Sequence, residues 1–187
     1  MPDALDLLQT RRSSRVVDLV LPGPSPEQLD IMLTIASRVP DHGKLAPWRF
    51  IVFEGEGRVR AGMALADVYA ELNPDASEKR LNEERGRFAR VPLVVAVVSS
   101  AAPHVKIPEW EQLLSSAAAA ENLLLAAMAL GYGATWITEW PTYEPKARAA
   151  LGLAEHERIT GFLYIGTATQ ALEDRPRPAL ADIVTRF

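Results

Sequence analysis

Apolar positions along the chain switch between a helical and a strand period, and the switches mark out the elements. Residues 3–12 place Ala4, Leu5, Leu7 and Leu8 on one side behind Asp3 as N-cap, which predicts a short helix with a buried side. A Pro/Gly/Ser turn then opens a second helix. Ser25 is its N-cap, Pro26 its first helical residue and Gln28 sits at the capping-box spacing, with Leu29, Met32, Leu33, Ile35 and Ala36 as the buried face. That helix must stop before Pro40, and VPDHGKLAP is a connection rich in turn formers.

WRFIVFEG, from Trp48, alternates and is β-branched and aromatic, which predicts a strand. Residues 58–72 and 77–89 read as exposed helices, the second highly charged. The continuous apolar run Val91 to Ser100 suits a strand covered on both faces. Trp110 to Leu130 is apolar almost all round, as a central helix would be. Its polar exceptions Glu111, Ser115 and Asn122 fall within about 40° of one another at the helical period, and the small residues Ser115 to Ala120 let another backbone come close. Gly131 and Gly133 end it, ATWIT reads as a short strand, a short helix follows near 144–151, and Ile159 to Gly166 is a strong strand. From Ala168 onward the chain holds Pro176 and Pro178 without periodicity, as an extended arm. Strands interleaved with helices and no internal repeat give one domain, 1–187, of α+β or α/β class.

Composition narrows the chemistry. With no cysteine among 187 residues, disulfide scaffolds, thiolate zinc sites, iron–sulfur clusters and cysteine nucleophiles are excluded. A net charge of −4 gives no global attraction to nucleic acid or to an anionic membrane, so any anion site must be local. The acid-first N-terminus is unlike a signal peptide, and polar residues interrupt the most apolar helix, so a cytoplasmic location is expected.

Standard motifs are sparse. GEGRVR follows a predicted strand, but Arg60 stands at its third glycine position, where bulk opposes the close helix–strand packing of a dinucleotide fingerprint. There is no phosphate-loop sequence, no G-x-S-x-G and no paired histidines, so no metal site and no catalytic triad are expected. The cluster RRSSR is the first positive signal. It suits either a solvated helix end, favoured by the macrodipole, or a phosphate site built from guanidinium forks and serine hydroxyls. Arg38 and His42 bracket the turn after the second helix, as loop residues or as the polar lining of a pocket. Trp136 is either a core residue or, with Ile137 and Thr138, part of a strand that offers backbone groups to a flat heterocycle.

Taken in order, ALDLLQTRRSSR, VPDHGKLAPWRFIVFEGEGR, the small-residue helix, GYGATWIT, GFLYIGT and the Pro-rich tail resemble the flavin-dependent nitroreductase family, in particular its short bacterial NAD(P)H nitroreductases. The resemblance covers essentially the whole chain. It implies an α+β fold with a mostly antiparallel sheet wrapped by helices, a homodimer with two flavin sites at the subunit interface, and non-covalent FMN reduced by NADH or NADPH. Arg11, Arg12 and Ser13 match family positions that hold the phosphate, ribityl chain and ring-edge oxygens. Arg38 and His42 match positions that line the flavin from the partner subunit, and Trp136, Ile137 and Thr138 match the strand along the flavin. The family's P-S-x-x-N-x-Q-P-W segment is replaced here by Pro40 to Trp48, with Asp41 and His42 near the positions of the missing serine and asparagine.

Flavin chemistry needs no catalytic triad, since the cofactor carries electrons and the protein binds and tunes it. The implied function is an oxidoreductase acting on an acceptor such as a nitroaromatic or quinone. Two other readings remain: a non-catalytic flavin- or nucleotide-binding module, and an anion-docking patch on a structural dimer.

Overall fold

The computed structural model describes residues 3–187. Its first half runs α1 (Ala4–Thr10), β1 (Leu19–Val20), α2 (Pro26–Ala36), β2 (Trp48–Phe53), α3 (Gly55–Leu72), α4 (Glu78–Arg85) and β3 (Leu93–Ser99). The second half runs α5 (Glu109–Ala129), β4 (Gly133–Ile137), α6 (Trp140–Tyr143), α7 (Pro145–Ala150), β5 (Arg158–Ala168) and α8 (Leu180–Ile183).

All strand pairs are antiparallel. β3 lies between β2 and β5, β4 pairs with the other edge of β5, and β1 pairs with the C-terminal end of β5. Every residue of β3 is buried, because alternate side chains enter two separate cores. Val95, Val97, Leu163 and Ala134 face α5 and α2, while Val94, Ala96, Val98, Phe162 and Tyr164 face Phe88, Leu65 and Leu151 on the opposite side. The apolar run in the sequence is the signature of that double cover.

The α2 capping box is complete: Ser25 Oγ accepts from Gln28 N at 3.3 Å and Gln28 Oε1 accepts from Ser25 N at 2.9 Å. Tyr132 Oη donates to the same Oε1 at 2.7 Å, tying the start of α2 to the entry of β4. On α5 the small residues Ser116, Ala119 and Ala120 are buried, so the close approach that they permit is used within the chain.

Two expectations are corrected. Helix α1 buries no residue: Leu5 is 67% and Leu8 56% exposed, and only Leu7 is half-buried, because α1 leans on α5 with one edge. The charged stretch 77–89 is not simply an exposed helix, since Glu84 and Phe88 are fully buried and Arg87 nearly so. Two short elements, β1 and α6, lie below the length at which periodicity can be read. Among the described residues no helix is long and apolar enough to cross a membrane.

Gly62 sets the distance between α3 and α4. A Cβ there would overlap the backbone carbonyl oxygen of Arg85 and lie 2.9 Å from its carbonyl carbon. Helix propensity alone would make Gly62→Ala stabilising by up to about 1 kcal/mol. Overpacking against a backbone that cannot rotate away reverses the sign, and a loss of about 1–3 kcal/mol is expected in urea unfolding. A variant with an unchanged or higher midpoint would show that the helices separate freely.

Candidate functional site

Beyond α1 the chain becomes extended and lies beside β4. Ser14 is buried and its N–H donates to the Ala134 carbonyl at 3.0 Å, which docks Ser14 on the start of that strand, while Arg11 and Arg12 lie beside Gly131 to Gly133. Gly133 permits the approach, since a Cβ would come within 2.7 Å of both Ser14 Oγ and the Leu19 side chain.

The three arginines of the cluster have different fates. Arg15 is committed to Asp18 through bonds of 2.6 and 3.1 Å, and this pairing raises its pKa. Arg12 Nε donates to the Glu173 carbonyl at 3.2 Å and lies 3.7 Å from the Asp174 carboxylate, which draws the C-terminal arm over it. Among the described residues the Arg11 guanidinium donates only to Ser13 Oγ, at 3.3 Å, and its Nε is buried with no hydrogen-bond partner. Arg11 and Arg12 line a cleft of roughly 270 Å³ whose other walls include Leu7, Met128, Tyr132 and Leu172.

Among the described residues β4 is an edge strand, paired only with β5. The Ala134 carbonyl points away from β5 to meet Ser14, so by the alternation of an antiparallel ladder the N–H and C=O of Trp136 also point outward. Ser14 engages only the start of this edge, which leaves polar backbone available from Trp136 to Thr138. The Trp136 indole faces α5, donates to the Thr160 carbonyl at 3.3 Å and lies against Gly161, where a Cβ would overlap Nε1. Ile137 packs on the opposite core and Thr138 is exposed just past the strand end.

The residue after Thr138 is anchored. The Glu139 carboxylate pairs with Arg87, accepts from Arg90 at 3.3 Å and accepts from Tyr164 Oη at 3.3 Å. Burial, with the Glu139 charge beside it, pushes the Tyr164 phenol up to about 12, so it stays a donor. This clamp fixes the direction in which β4 leaves the sheet.

Arg38 and His42 occupy a second region. The polar stripe of α5 is its track: Asn122 Nδ2 donates to the carbonyls of Ile35 and Arg38 at 3.2 and 3.1 Å, and Ser115 Oγ accepts from Trp48 Nε1 at 3.0 Å. The third member, Glu111, places Oε2 2.5 Å from His42 Nδ1. Between these supports the backbone takes positive φ at Gly43, Lys44 and Ala46, of which the last two are unfavourable for residues with a Cβ. Asp41 stabilises the turn, accepting from Leu45 N at 3.1 Å and Ala46 N at 2.8 Å. Its carboxylate therefore serves its own loop. The Arg38 side chain is exposed and has no polar partner among the described residues.

One chain thus places Arg11 and Arg12 beside Gly131 to Gly133, where the chain enters β4, sets Trp136 against Thr160 further along the strand, and holds His42 away from the Arg11 cleft. Met128 borders the Arg11 cleft and Glu111 holds His42, and at about 1.5 Å per residue these two α5 positions are about 25 Å apart. Sequence reasoning found the polar stripe without its purpose. Ser14 is legible in RRSSR, Asp41 in the segment Pro40 to Trp48 and Glu111 on the polar stripe, whereas nothing in the sequence marks Glu139.

Residues 8–167 match the family model described as "Nitroreductase family". An Escherichia coli (strain K12) protein named "Putative NAD(P)H nitroreductase YdjA" is 39% identical over 166 residues, 88% of this chain and 88% of that protein. The solved structure of a nitroreductase-like family protein from Bacillus cereus matches with a TM-score of 0.84 at 24% identity, covering 100% of this chain and 97% of that one. A nitroreductase with bound FMN from Bacteroides fragilis matches over the full length of both chains, with a TM-score of 0.71 at 21% identity. These two structural likenesses are likenesses of fold.

Proposed function

This chain belongs to the nitroreductase family, and from that membership we propose that it is an FMN-dependent oxidoreductase of the cytoplasm, using NADH or NADPH to reduce a small acceptor such as a nitroaromatic or quinone-like compound. The observation that carries this reading is Arg11, a residue of the cleft beside the start of β4 whose Nε is buried and has no partner among the described residues. Leaving a buried cationic donor without an acceptor is costly, and an anionic ligand oxygen supplies one. The residues present therefore fit a flavin mononucleotide.

When bound, FMN accepts a hydride from the nicotinamide and passes electrons to the acceptor. Arg11 and Arg12 supply the positive charge for the phosphate or the ring-edge oxygens, with the Ser13 hydroxyl as a further donor. An arginine at the pyrimidine edge stabilises the negative charge that develops there on reduction. The free edge of Trp136 to Thr138 offers backbone donors and acceptors to the ring. Arg38 and His42 come from a second copy of the chain, which their separation along α5 from the Arg11 cleft supports. The working unit is a homodimer with two sites.

The purified protein should be yellow, release FMN on denaturation and bleach under anaerobic NADH or NADPH. Apoprotein titrated by flavin fluorescence should bind FMN at least about 100-fold more tightly than riboflavin, since two charge-assisted hydrogen bonds to the phosphate contribute about 1.5–3 kcal/mol each. A colourless protein that cannot be reconstituted with FMN overturns the proposal, and equal affinities remove the arginines from the phosphate.

A further inference from the structure

We propose that Glu111 is a positioning residue for His42: its carboxylate accepts a hydrogen bond from Nδ1–H and fixes the imidazole so that Nε2 is the nitrogen presented to the ligand. The half of this proposal that concerns a ligand rests on the flavin reading above. The half that concerns the ring stands on this chain alone.

The distance of 2.5 Å between His42 Nδ1 and Glu111 Oε2 determines the tautomer. An ionised carboxylate only accepts, so Nδ1 carries the hydrogen and a ring with one proton holds Nε2 as an acceptor. Both side chains are partly exposed, at 62% and 44%, so the pairing is not imposed by burial. It is imposed by the backbone on both sides. Glu111 sits in the first turn of α5, and the loop that carries His42 is bound to the same helix through Ser115 and Asn122. Asp41 closes the turn beneath the ring, and the absence of a side chain at Gly43 lets Ile107 pack against it.

His42, Glu111, Pro40, Leu114, Ser115 and Ala118 line a mainly apolar hollow of roughly 380 Å³. In such surroundings an unrestrained imidazole would present either nitrogen. Glu111 removes that freedom, as carboxylates behind functional histidines do. The arrangement also separates two acidic residues by role: Asp41 holds the loop and Glu111 holds the ring.

The test begins with nitrogen-15 NMR of the apoprotein, at a pH high enough for the ring to carry one proton. Wild type is expected to show His42 protonated on Nδ1. Glu111→Ala should shift it toward the Nε2–H form that free imidazole favours, and Glu111→Gln should keep Nδ1–H because its amide oxygen still accepts. In parallel, FMN binding by fluorescence should weaken about 10-fold in Glu111→Ala, recover substantially in Glu111→Gln, and weaken no further when Glu111→Ala is added to His42→Ala. Circular dichroism checks that each variant is folded.

A wild-type ring protonated on Nε2, or a tautomer indifferent to Glu111→Ala, overturns the positioning role. Unchanged FMN affinity in Glu111→Ala, with a loss in His42→Ala, shows that the ring acts without its carboxylate and overturns the ligand half. Unchanged affinity in His42→Ala removes His42 from the flavin site, and with it the ligand half, while the tautomer still reads the pair.

Discussion

Replacing Arg87 by leucine is expected to destabilise the fold by about 3 kcal/mol, seen as a fall of roughly 6–12 °C in Tm. Arg87 is a two-sided brace. Its Nε and Nη2 donate to the two oxygens of Glu84 at 2.6 and 2.7 Å, and its Nη1 pairs with Glu139. Glu84 is fully buried, so removing the guanidinium leaves a carboxylate in the core with Arg80 at 2.6 Å and Trp140 Nε1 at 3.0 Å as its remaining partners. Breaking a buried pair from one side costs about 3–5 kcal/mol, and those two partners place this case at the low end. Neutralising the orphan should reverse most of the loss. Glu84→Gln combined with Arg87→Leu is expected to recover at least half, because the amide oxygen still accepts from Trp140. A single variant within 1 kcal/mol of wild type would mean that the network contributes little.

Acid should erase the same difference. Burial alone would raise the Glu84 pKa, but hydrogen bonds from Arg87 and Trp140, with the charges of Arg87 and Arg80, outweigh it and leave the value below the usual 4.5. The contribution is therefore fully present above that value and is lost as pH falls through the lower folded one. Wild type and Arg87→Leu should converge in stability in that window.

This network also shows where sequence reading stops. EKRLNEER reads as a solvated helix because a run of charges usually is one, and nothing local reports that Trp140, 56 positions away, donates to Glu84. Features set by a local rule were legible: the capping box in SPEQ, the doubly covered run of β3, and Gly131 at the end of α5, whereas Gly133 opens β4. The polar stripe on α5 was legible as a stripe, yet its partners lie on a loop whose path depends on positive-φ residues that no propensity favours. The candidate site divides in the same way. Arg11, Arg12 and Ser13 stand out as a cluster, but only the Ser14 to Ala134 hydrogen bond brings them to β4. Their distance from His42 is a property of how two segments dock on one helix, which spacing in the chain does not encode.

Arg11→Ala is expected to weaken FMN binding by about 100-fold or more while leaving the fold intact. Two charge-assisted hydrogen bonds at about 1.5–3 kcal/mol each give about 3–6 kcal/mol, and every 1.4 kcal/mol is tenfold in affinity. The fold should tolerate the loss because Arg11 holds only Ser13, at 3.3 Å, whereas Arg15 and Arg87 are tied into ion pairs. Arg11→Lys should recover only part of the affinity, as an ammonium restores charge without the planar fork. Riboflavin locates the contact: a loss confined to FMN places Arg11 on the phosphate, and an equal loss for both ligands places it on the ring edge. Arg12→Ala should cost less, because Arg12 must first leave the Glu173 carbonyl and Asp174. Flavin titration of the three apoproteins orders these effects. An Arg11→Ala protein that binds FMN as wild type does would transfer the anion site to Arg12 and leave the orphaned Nε without a ligand.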